Sequence, residues 1–301
     1  MNSDTNAPML AVIGGSGLYD LPGLTDTRWV SVETPWGAPS DQVFLGRLDD
    51  ARLAFLPRHG RGHRIPPSEV NYRANIAALK MLGATDVMAL SAVGGLREAL
   101  PPGSFVVVDQ FVDRTFAREK TFFGRGLVAH VSMAHPVCKR LGDHLEAALQ
   151  AKGLPHERGG TYLVIEGPQF STQAESHLYR QWGCDVIGMT NMPEAKLARE
   201  AEIAYASLSM VTDYDCWHEE EEAVTGEGVM EVLRKNVALA QRVVRRAIAV
   251  LGPEVANDCS SALAMALITD PNLVPADTLQ SLQPLIGKYL DRSGGKLAWR
   301  R

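Results

Sequence analysis

Residues 204–217 read AYASLSMVTDYDCW, an apolar run that ends in two acids, Asp213 and Asp215. The run from Ala204 to Met210 predicts a buried β-strand. Because side chains alternate in an extended segment, acids two positions apart point to the same side. The pair therefore predicts two carboxylate acceptors for one ligand. The alternative is that both acids cap a turn after the strand, a position that Asp favours.

A protonated adenine is one ligand that matches two such acceptors. Once its N7 carries a proton, adenine presents two adjacent donors, the N7 proton and the exocyclic amine, and carboxylates can accept both. A 6-oxopurine presents an acceptor in place of the amine. Asp213 and Asp215 therefore favour a 6-aminopurine, provided that the rest of the chain forms a nucleoside site.

Composition restricts the classes of partner. The chain has 301 residues, 46% of them hydrophobic, which predicts one α/β domain with a large core. Its 30 basic and 35 acidic residues and its isoelectric point of about 5.9 give no electrostatic reason to bind nucleic acid. Small molecules are the expected partners.

Sequence features also bear on location and on the cysteines. The N-terminal sequence MNSDTNAPML lacks a basic stretch followed by an apolar one, and no apolar run approaches the ~18 residues of a membrane span. A cytoplasmic protein without membrane contact is expected. The four cysteines lie far apart without CxxC spacing, which predicts reduced, packed thiols and no zinc site; they are Cys138, Cys184, Cys216 and Cys259.

Short apolar or β-branched runs alternate with amphipathic stretches, a pattern typical of an α/β sandwich. The predicted strands are Leu10 to Ile13, Leu53 to Leu56, Asp86 to Leu90, Phe105 to Val108, Tyr162 to Ile165, Val186 to Met189 and Ala204 to Met210. The predicted helices are Arg73 to Leu82, Pro136 to Ala151, Pro193 to Glu200 and the longest, Glu227 to Leu251. Residues 1–256 are expected to form the α/β domain. Residues 257–301 are expected to be a helical extension packed on it, with two helices divided by Thr269-Asp270-Pro271.

Several predicted strands end in groups that suit an anion or a sugar. These groups are Ser16, Arg58 with His59, Ser91, Thr190 and Asp213. Ligands of open α/β sheets bind outside the carboxyl ends of the strands, so we expect these side chains to converge. An Arg can donate a bidentate fork to phosphate and an adjacent His adds a donor, while hydroxyls add no charge. The strand ends therefore predict a phosphate site.

Gly14-Gly15-Ser16-Gly17 follows the first predicted strand but fits none of the common glycine motifs. Asp20 stands where the dinucleotide pattern needs Gly, the P-loop Lys is missing, and Leu18 stands where a nucleophile elbow needs Gly. The remaining interpretations are an ordinary glycine turn, or a small loop whose amides and Ser16 hydroxyl hold a single phosphate.

Seven short motifs follow one another along the chain: GGSG at 14–17, RHGRGH at 58–63, SAVGGLRE at 91–98, DQFVDRT at 109–115, IEGPQFS at 165–171, MTNMPEAKLARE at 189–200 and TDYDCW at 212–217. In this order, from about residue 10 to 250, they resemble the 5′-methylthioadenosine phosphorylases, within the trimeric purine nucleoside phosphorylases. The resemblance implies a phosphorylase/nucleosidase fold, a twisted mixed β-sheet flanked by helices in a single domain, and a homotrimer with sites near subunit boundaries. It implies phosphorolysis of S-methyl-5′-thioadenosine to adenine and 5-methylthio-ribose 1-phosphate, in purine and methionine salvage. Inorganic phosphate would be the co-substrate, with no metal or organic cofactor.

The same resemblance implies a role for each matching residue. Phosphate is expected to be held by Ser16, Arg58, His59, Ser91, the Ala92 amide and Thr190. Met189 is expected against the ribose, Phe170 on the purine face, and Asp213 with Asp215 at the N7 and N6 edge. His130 matches a residue that reaches the 5′-alkylthio group from the neighbouring subunit, although a structural role is the alternative.

Some positions distinguish this chain within the wider family that it resembles. The 6-oxopurine enzymes usually carry Glu where Ser171 stands and Asn where Asp213 stands, so both residues favour a 6-aminopurine. Gly188 replaces a common Asn and Asn191 a common Thr, which bears on ribose geometry and base selectivity. Residues 257–301 match poorly, and in this family C-terminal residues help to close the 5′ pocket.

Phosphorolysis requires phosphate to attack the ribose C1′ while the leaving purine gains a proton at N7. Asp213 is the candidate general acid if burial beside Asp215 raises its pKa well above about 3.9. Otherwise Asp213 accepts a hydrogen bond from an N7 that water has protonated. The open alternatives are a phosphorylase of methylthioinosine or inosine, a nucleoside hydrolase, and a non-catalytic nucleoside-binding protein. The acidic run at 218–222 is expected to be a solvated loop rather than a gate or metal site.

Overall fold

Eleven strands form one mixed β-sheet in the computed structural model, which describes residues 8–15, 21–218, 238–248, 259–291, 293 and 296–300. The strands are β1 (Met9–Gly14), β2 (Thr25–Val30), β3 (Val43–Leu48), β4 (Ala51–Pro57), β5 (Ala84–Gly95), β6 (Phe105–Val108), β7 (Gln110–Arg114), β8 (His156–Arg158), β9 (Thr161–Ile165), β10 (Val186–Gly188) and β11 (Ala204–Asp213). Two short strands, β12 (Leu290–Asp291) and β13 (Ala298–Trp299), pair with each other outside this sheet.

The sheet branches at β5, its longest strand, which pairs with β1, β10 and β11. The main path is β2-β3-β4-β1-β5-β10-β9-β7, while β11 lies between β5 and β6, and β8 pairs with β6. β5 is parallel to β1 and to β11, and β1 is parallel to β4. At the end of β5, Gly94 and Gly95 pair with β10 in the antiparallel direction. The carboxyl ends of β1, β4 and β11 therefore meet at one edge of the sheet.

Both faces of the central strands are buried. In β5, Val87 and Ala89 belong to one hydrophobic core, and Met88 and Leu90 belong to the other. Such strands have no solvated face, which explains why their sequences are continuously apolar instead of alternating.

Helices cover the two faces. They are α1 (Tyr72–Met81), α2 (Lys139–Ala151), α3 (Gln173–Gln181), α4 (Asn191–Glu200), α5 (residues 238–248), α6 (Ala276–Ser281) and α7 (Gln283–Ile286). α1 and α4 pack into the first core through Ile76 and Ala195, whereas α2 and α5 pack into the second through Leu141 and Val244. The predicted mixed sheet flanked by helices is therefore confirmed. In the described part of the chain, no helix combines the length and apolar character needed to span a bilayer.

All seven predicted strands are present, but their ends differ from the prediction in two places that matter for the site. β5 continues past Leu90 to Gly95, so Ser91 lies within the strand instead of after it. β11 continues to Asp213 with a register shift after Val211. Strands β2, β3, β7 and β8 and helix α3 were not predicted. α2 begins at Lys139 instead of Pro136, and of the predicted helix 227–251 only residues 238–248 are described.

The C-terminal segment differs from the two predicted helices. Residues 259–266 form turns, Leu267 forms an isolated bridge with Ala129, and the short helices α6 and α7 both follow Pro271. The Ile268 amide donates to the Val128 carbonyl (3.0 Å) and the His130 amide to the Ala266 carbonyl (3.0 Å). Pairing with residues 128–130 thus engages the backbone groups that a helix would need.

Candidate active site

A cavity lies where the ends of β1, β4, β5, β10 and β11 meet. Its lining includes many of the residues selected from the sequence, namely Arg58, His59, Ser91, Ala92, Phe170, Met189, Thr190, Asp213 and Asp215. Ser16 lies outside the described residues, although its neighbour Gly15 lines the cavity. His130 is exposed and does not line the cavity of its own chain.

The two acids are brought together by a turn, not by an extended strand. Asp213 ends β11, whereas Asp215 has a left-handed backbone (φ 55°). The Asp215 amide donates to Asp213 Oδ1 (2.8 Å), so Asp213 does cap the turn, as the alternative interpretation predicted. Both side chains nevertheless line the same cavity. The prediction that Asp213 and Asp215 lie two positions apart in one extended strand was therefore wrong.

Burial raises the pKa of the Asp213 carboxyl above its usual range, and the neighbouring Asp215 charge adds to the rise. Hydrogen bonds from Thr212 and the Asp215 amide oppose it. The Thr212 hydroxyl lies 2.7 Å from Asp213 Oδ2 and 3.2 Å from the Val93 carbonyl. The Thr212 hydroxyl has one proton, so it donates to only one of these two oxygens at a time, and its bond to Asp213 favours the charged carboxylate.

Arg58 is fully buried and is held mainly by an acid that the sequence did not reveal. Its Nε and Nη2 donate to the Glu194 carboxylate at 2.8 and 2.9 Å, in a buried bidentate pair. Nη1 donates to the Leu90 carbonyl (2.9 Å), and Nη2 also approaches the Ile13 carbonyl (3.5 Å). Four of the five guanidinium N–H groups have these partners, which leaves one Nη1 donor without a partner among the described residues. The bidentate fork that was expected to bind phosphate holds Glu194 instead.

His59 faces the cavity as a neutral imidazole. Burial and the adjacent Arg58 charge lower its pKa to about 4. Nδ1 lies 2.9 Å from the Ile65 carbonyl, which can only accept, so the proton is assigned to Nδ1. Nε2 of the neutral ring is then an acceptor. His63, which was not selected from the sequence, stacks on His59 with ring centroids 4.3 Å apart and also lines the cavity.

A buried Arg118 fixes the backbone of Met189. Arg118 Nη1 donates to the Met189 carbonyl (2.6 Å), and Nη2 donates to the Glu166 carbonyl (2.6 Å). Burial alone would raise the pKa of Glu166, but hydrogen bonds from the Phe116 amide and its other donors hold it at about 2. Gly167 has φ 68°, and a Cβ there would lie 2.5 Å from Met189 Sδ. These contacts hold the loop before Phe170 against Met189.

Residues 9–249 match the family model described as the phosphorylase superfamily.

The chain belongs to this superfamily.

Relatives of this phosphorylase extend the match over nearly the whole chain. A protein from Rhodospirillum rubrum named S-methyl-5′-thioadenosine phosphorylase is 56% identical over 293 residues, which cover 96% of this chain and 100% of the relative. One of the same name from Geobacter sulfurreducens is 53% identical, covering 94% and 99%. The crystal structure of a methylthioadenosine phosphorylase from an Antarctic soil metagenomic library superposes with a TM-score of 0.88 at 51% identity, covering 93% and 99%. The Schistosoma mansoni methylthioadenosine phosphorylase in complex with adenine gives 0.81 at 40% identity, covering 86% and 98%. The family resemblance of the sequence is thus confirmed.

The functional residues of this phosphorylase that the sequence did not reveal are mostly buried partners of selected ones. Glu194 and Arg118 are charged residues at interior positions of a helix and a loop, so no strand-end pattern marks them. Thr212 carries a weaker chemical signal than Asp213 beside it. For Glu194 one signal existed, since a charge lies among the buried, mostly apolar positions of α4.

Proposed function

We propose that this chain catalyses the phosphorolysis of S-methyl-5′-thioadenosine to adenine and 5-methylthio-ribose 1-phosphate. One observation carries the proposal: two buried or half-buried carboxylates with raised pKa values share a cavity with Arg58, Ser91 and Thr190. The relatives that match nearly the whole chain have the corresponding name. A hydrolase or a non-catalytic nucleoside-binding protein needs no cluster of phosphate-type donors.

Phosphate is proposed to bind at Arg58, His59, Ser91, the Ala92 amide and Thr190, together with Ser16. The free Nη1 donor of Arg58 and the hydroxyls supply hydrogen bonds, while Glu194 already balances the guanidinium charge. Neutral His59 accepts through Nε2, so it suits a phosphate oxygen that carries a proton. Fixing the nucleophile against C1′ in this way lowers the entropic part of the barrier.

The purine is proposed to pack with one face on Phe170 and with its N7 and N6 edge toward the two acids. The ribose is proposed to lie against Met189. Asp213 donates a proton to N7 as the bond to C1′ breaks, and Asp215 accepts from the exocyclic amine. Burial favours the protonated form of Asp213, as this role requires. General acid catalysis of this kind contributes about 10²- to 10⁴-fold in rate.

A homotrimer is part of the proposal, with His130 reaching the 5′ group of a neighbouring subunit. Exposed apolar side chains surround the segment that carries His130, and an exposed apolar patch of this kind is typical of an interface. They include Val128, Met265 and Ile268. Sedimentation of the purified protein tests the trimer. A cytoplasmic location is also proposed, because the buried thiols of Cys138 and Cys184 suit a reducing compartment.

The decisive experiment measures base release from S-methyl-5′-thioadenosine, 5′-methylthioinosine, adenosine and inosine, each with and without phosphate. The fastest release is expected from S-methyl-5′-thioadenosine and only with phosphate present. Release without phosphate would identify a hydrolase instead. We also propose that no metal or organic cofactor takes part, so dialysis against a chelator is expected to leave the rate unchanged.

The second candidate is a phosphorylase of the inosine forms. Protonated Asp213 could donate to a purine acceptor as readily as it donates to N7, which is the observation that keeps this candidate open. Faster release from 5′-methylthioinosine than from S-methyl-5′-thioadenosine would favour it. Asp213→Asn is expected to shift preference toward the inosine forms if the aminopurine assignment is right.

A further inference from the structure

Tyr162 places a hydroxyl against Gly188, which lines the cavity of the proposed phosphate site. Tyr162 lies in β9 and is fully buried. β9 and β10 are parallel, with Val164 opposite Gly188, so the Tyr162 side chain and the Gly188 position lie on the same face of the sheet. A Cβ on Gly188 would overlap Tyr162 Oη and would lie 2.8 Å from Cζ. The tyrosine therefore occupies the space that a side chain at position 188 would need.

Two hydroxyls at this position are buried, those of Tyr162 and Ser91. Among the residues that the structure describes, neither Tyr162 Oη nor Ser91 Oγ has a hydrogen-bond partner. Gly188, whose Cβ position the tyrosine hydroxyl fills, lines the same cavity as Ser91 and Thr190. Burial raises the pKa of Tyr162, and the Ser91 and Thr190 hydroxyls oppose that rise. Buried hydroxyls are rarely left without a hydrogen-bond partner, so each such group requires an explanation.

We propose that Tyr162 is a positioning residue for phosphate, donating its hydroxyl proton to Ser91 Oγ so that the Ser91 proton is aimed at a phosphate oxygen. A serine hydroxyl has one proton and two lone pairs. When Ser91 donates its proton to phosphate, its own oxygen becomes a better hydrogen-bond acceptor. The buried Tyr162 hydroxyl can then donate to that oxygen. Hydrogen bonds in such a chain strengthen one another. Gly188 is required because any side chain there would displace the tyrosine hydroxyl.

This inference rests on the proposed phosphorolysis, so the assay must separate the two. The variant is Tyr162→Phe, which removes one oxygen and keeps the ring. Rates are measured with phosphate varied at saturating S-methyl-5′-thioadenosine, and with the nucleoside varied at saturating phosphate. We expect KM for phosphate to rise about tenfold, as the loss of one hydrogen bond in a charged network implies, with KM for the nucleoside within about twofold. Unchanged KM for phosphate, or an equal loss in both titrations, would overturn the inference.

Two further variants make the readout specific. Tyr289→Phe removes a buried tyrosine hydroxyl that donates to Glu202 away from the cavity, and it is expected to leave both KM values unchanged. In a Ser91→Ala background, Tyr162→Phe is expected to change KM for phosphate by less than about twofold, because Tyr162 acts through Ser91. Additive effects of the two changes would contradict a role of Tyr162 that acts through Ser91.

Gly188→Ala provides an independent test from the other side of the contact. It is expected to raise KM for phosphate in the parent protein, and to have a smaller effect when Tyr162 is already Phe, because the closest overlap is with the hydroxyl. If the parent protein releases base without phosphate, the proposed function fails. If the parent depends on phosphate and Tyr162→Phe does not alter that dependence, only this inference fails.

Discussion

Glu194→Gln should both destabilise the protein and make its stability depend more strongly on phosphate. Glu194 and Arg58 are only 1% and 2% exposed, and the carboxylate accepts two hydrogen bonds from Arg58 and one from Tyr205 (2.9 Å). Removing one partner of a buried ion pair leaves an uncompensated charge, which costs about 3–5 kcal/mol. For a chain of this size the apparent Tm should fall by roughly 10 °C.

Bound phosphate can replace part of the lost negative charge beside Arg58. The assay is thermal unfolding followed by intrinsic fluorescence, over a phosphate titration, for the parent and for Glu194→Gln. We expect the phosphate-induced rise in Tm to be larger in the variant than in the parent. This follows because the ligand then supplies the only anion next to the guanidinium among the described residues.

Asp143→Asn is the matched control, since it makes the same acid-to-amide change in an exposed pair. Asp143 is 46% exposed and pairs with Lys139, which is 83% exposed, and with Arg158 at 3.3 Å. Such pairs contribute about 0–1 kcal/mol, so little change in Tm and none in the phosphate response is expected. The reasoning is refuted if Glu194→Gln lies within about 1 kcal/mol of the parent, or if phosphate stabilises both proteins equally.

Four other variants test separate parts of the molecule. Asp213→Ala should lower kcat about 10²- to 10⁴-fold with little change in KM for phosphate, whereas Arg58→Ala should chiefly raise KM for phosphate; equal effects of both changes on both parameters would contradict the assigned roles. Burial raises the pKa of Glu200 to about 7 from 4.5, so the folded protein keeps a proton that the unfolded chain releases, and stability falls as pH rises through this window. Glu200→Gln should remove about 3 kcal/mol of that fall, measured by urea unfolding at both ends of the window. Glu202→Ala removes the acceptor of the Leu263 amide (2.9 Å), so limited proteolysis should cut the C-terminal segment faster; unchanged cleavage would show that other contacts hold it.

The buried strands could be predicted from the sequence because short, continuous apolar runs between turn residues are typical of strands covered on both faces. The same pattern missed β2, whose sequence TDTRWV is polar and largely exposed at the edge of the sheet. A helix was also predicted at 257–268, where backbone pairing with residues 128–130 determines the structure of the described part. Such long-range pairing leaves no local pattern, so tertiary contacts override helix propensity there.

Prediction of the site was better than prediction of its geometry. Residues at the carboxyl ends of neighbouring parallel strands must converge, which is why Arg58 and Asp213 could be selected from the sequence. Thr190 reaches the same cavity from β10, which runs antiparallel to β5. The position of Asp215 depends on a left-handed turn, and the orientation of Arg58 depends on Glu194, which lies 136 residues away in the chain. Side-chain partners at that separation are set by packing and not by spacing.

Strand β5 has a consequence for how substrate preference can change. Ser91 lies in the proposed phosphate site, and Gly94 packs so closely on Asp213 that a Cβ there would be 2.9 Å from Oδ1. At about 3.3 Å per residue, about 10 Å of strand separates Ser91 in the proposed phosphate site from Gly94 beside the proposed base site. β11 pairs with this stretch along its length and β10 pairs with Gly94 at its end, so the stretch has a fixed length. If phosphate and purine bind as proposed, new substrates can differ at the 5′ group or at the ring edge, whereas the distance from phosphate to base is fixed by the strand.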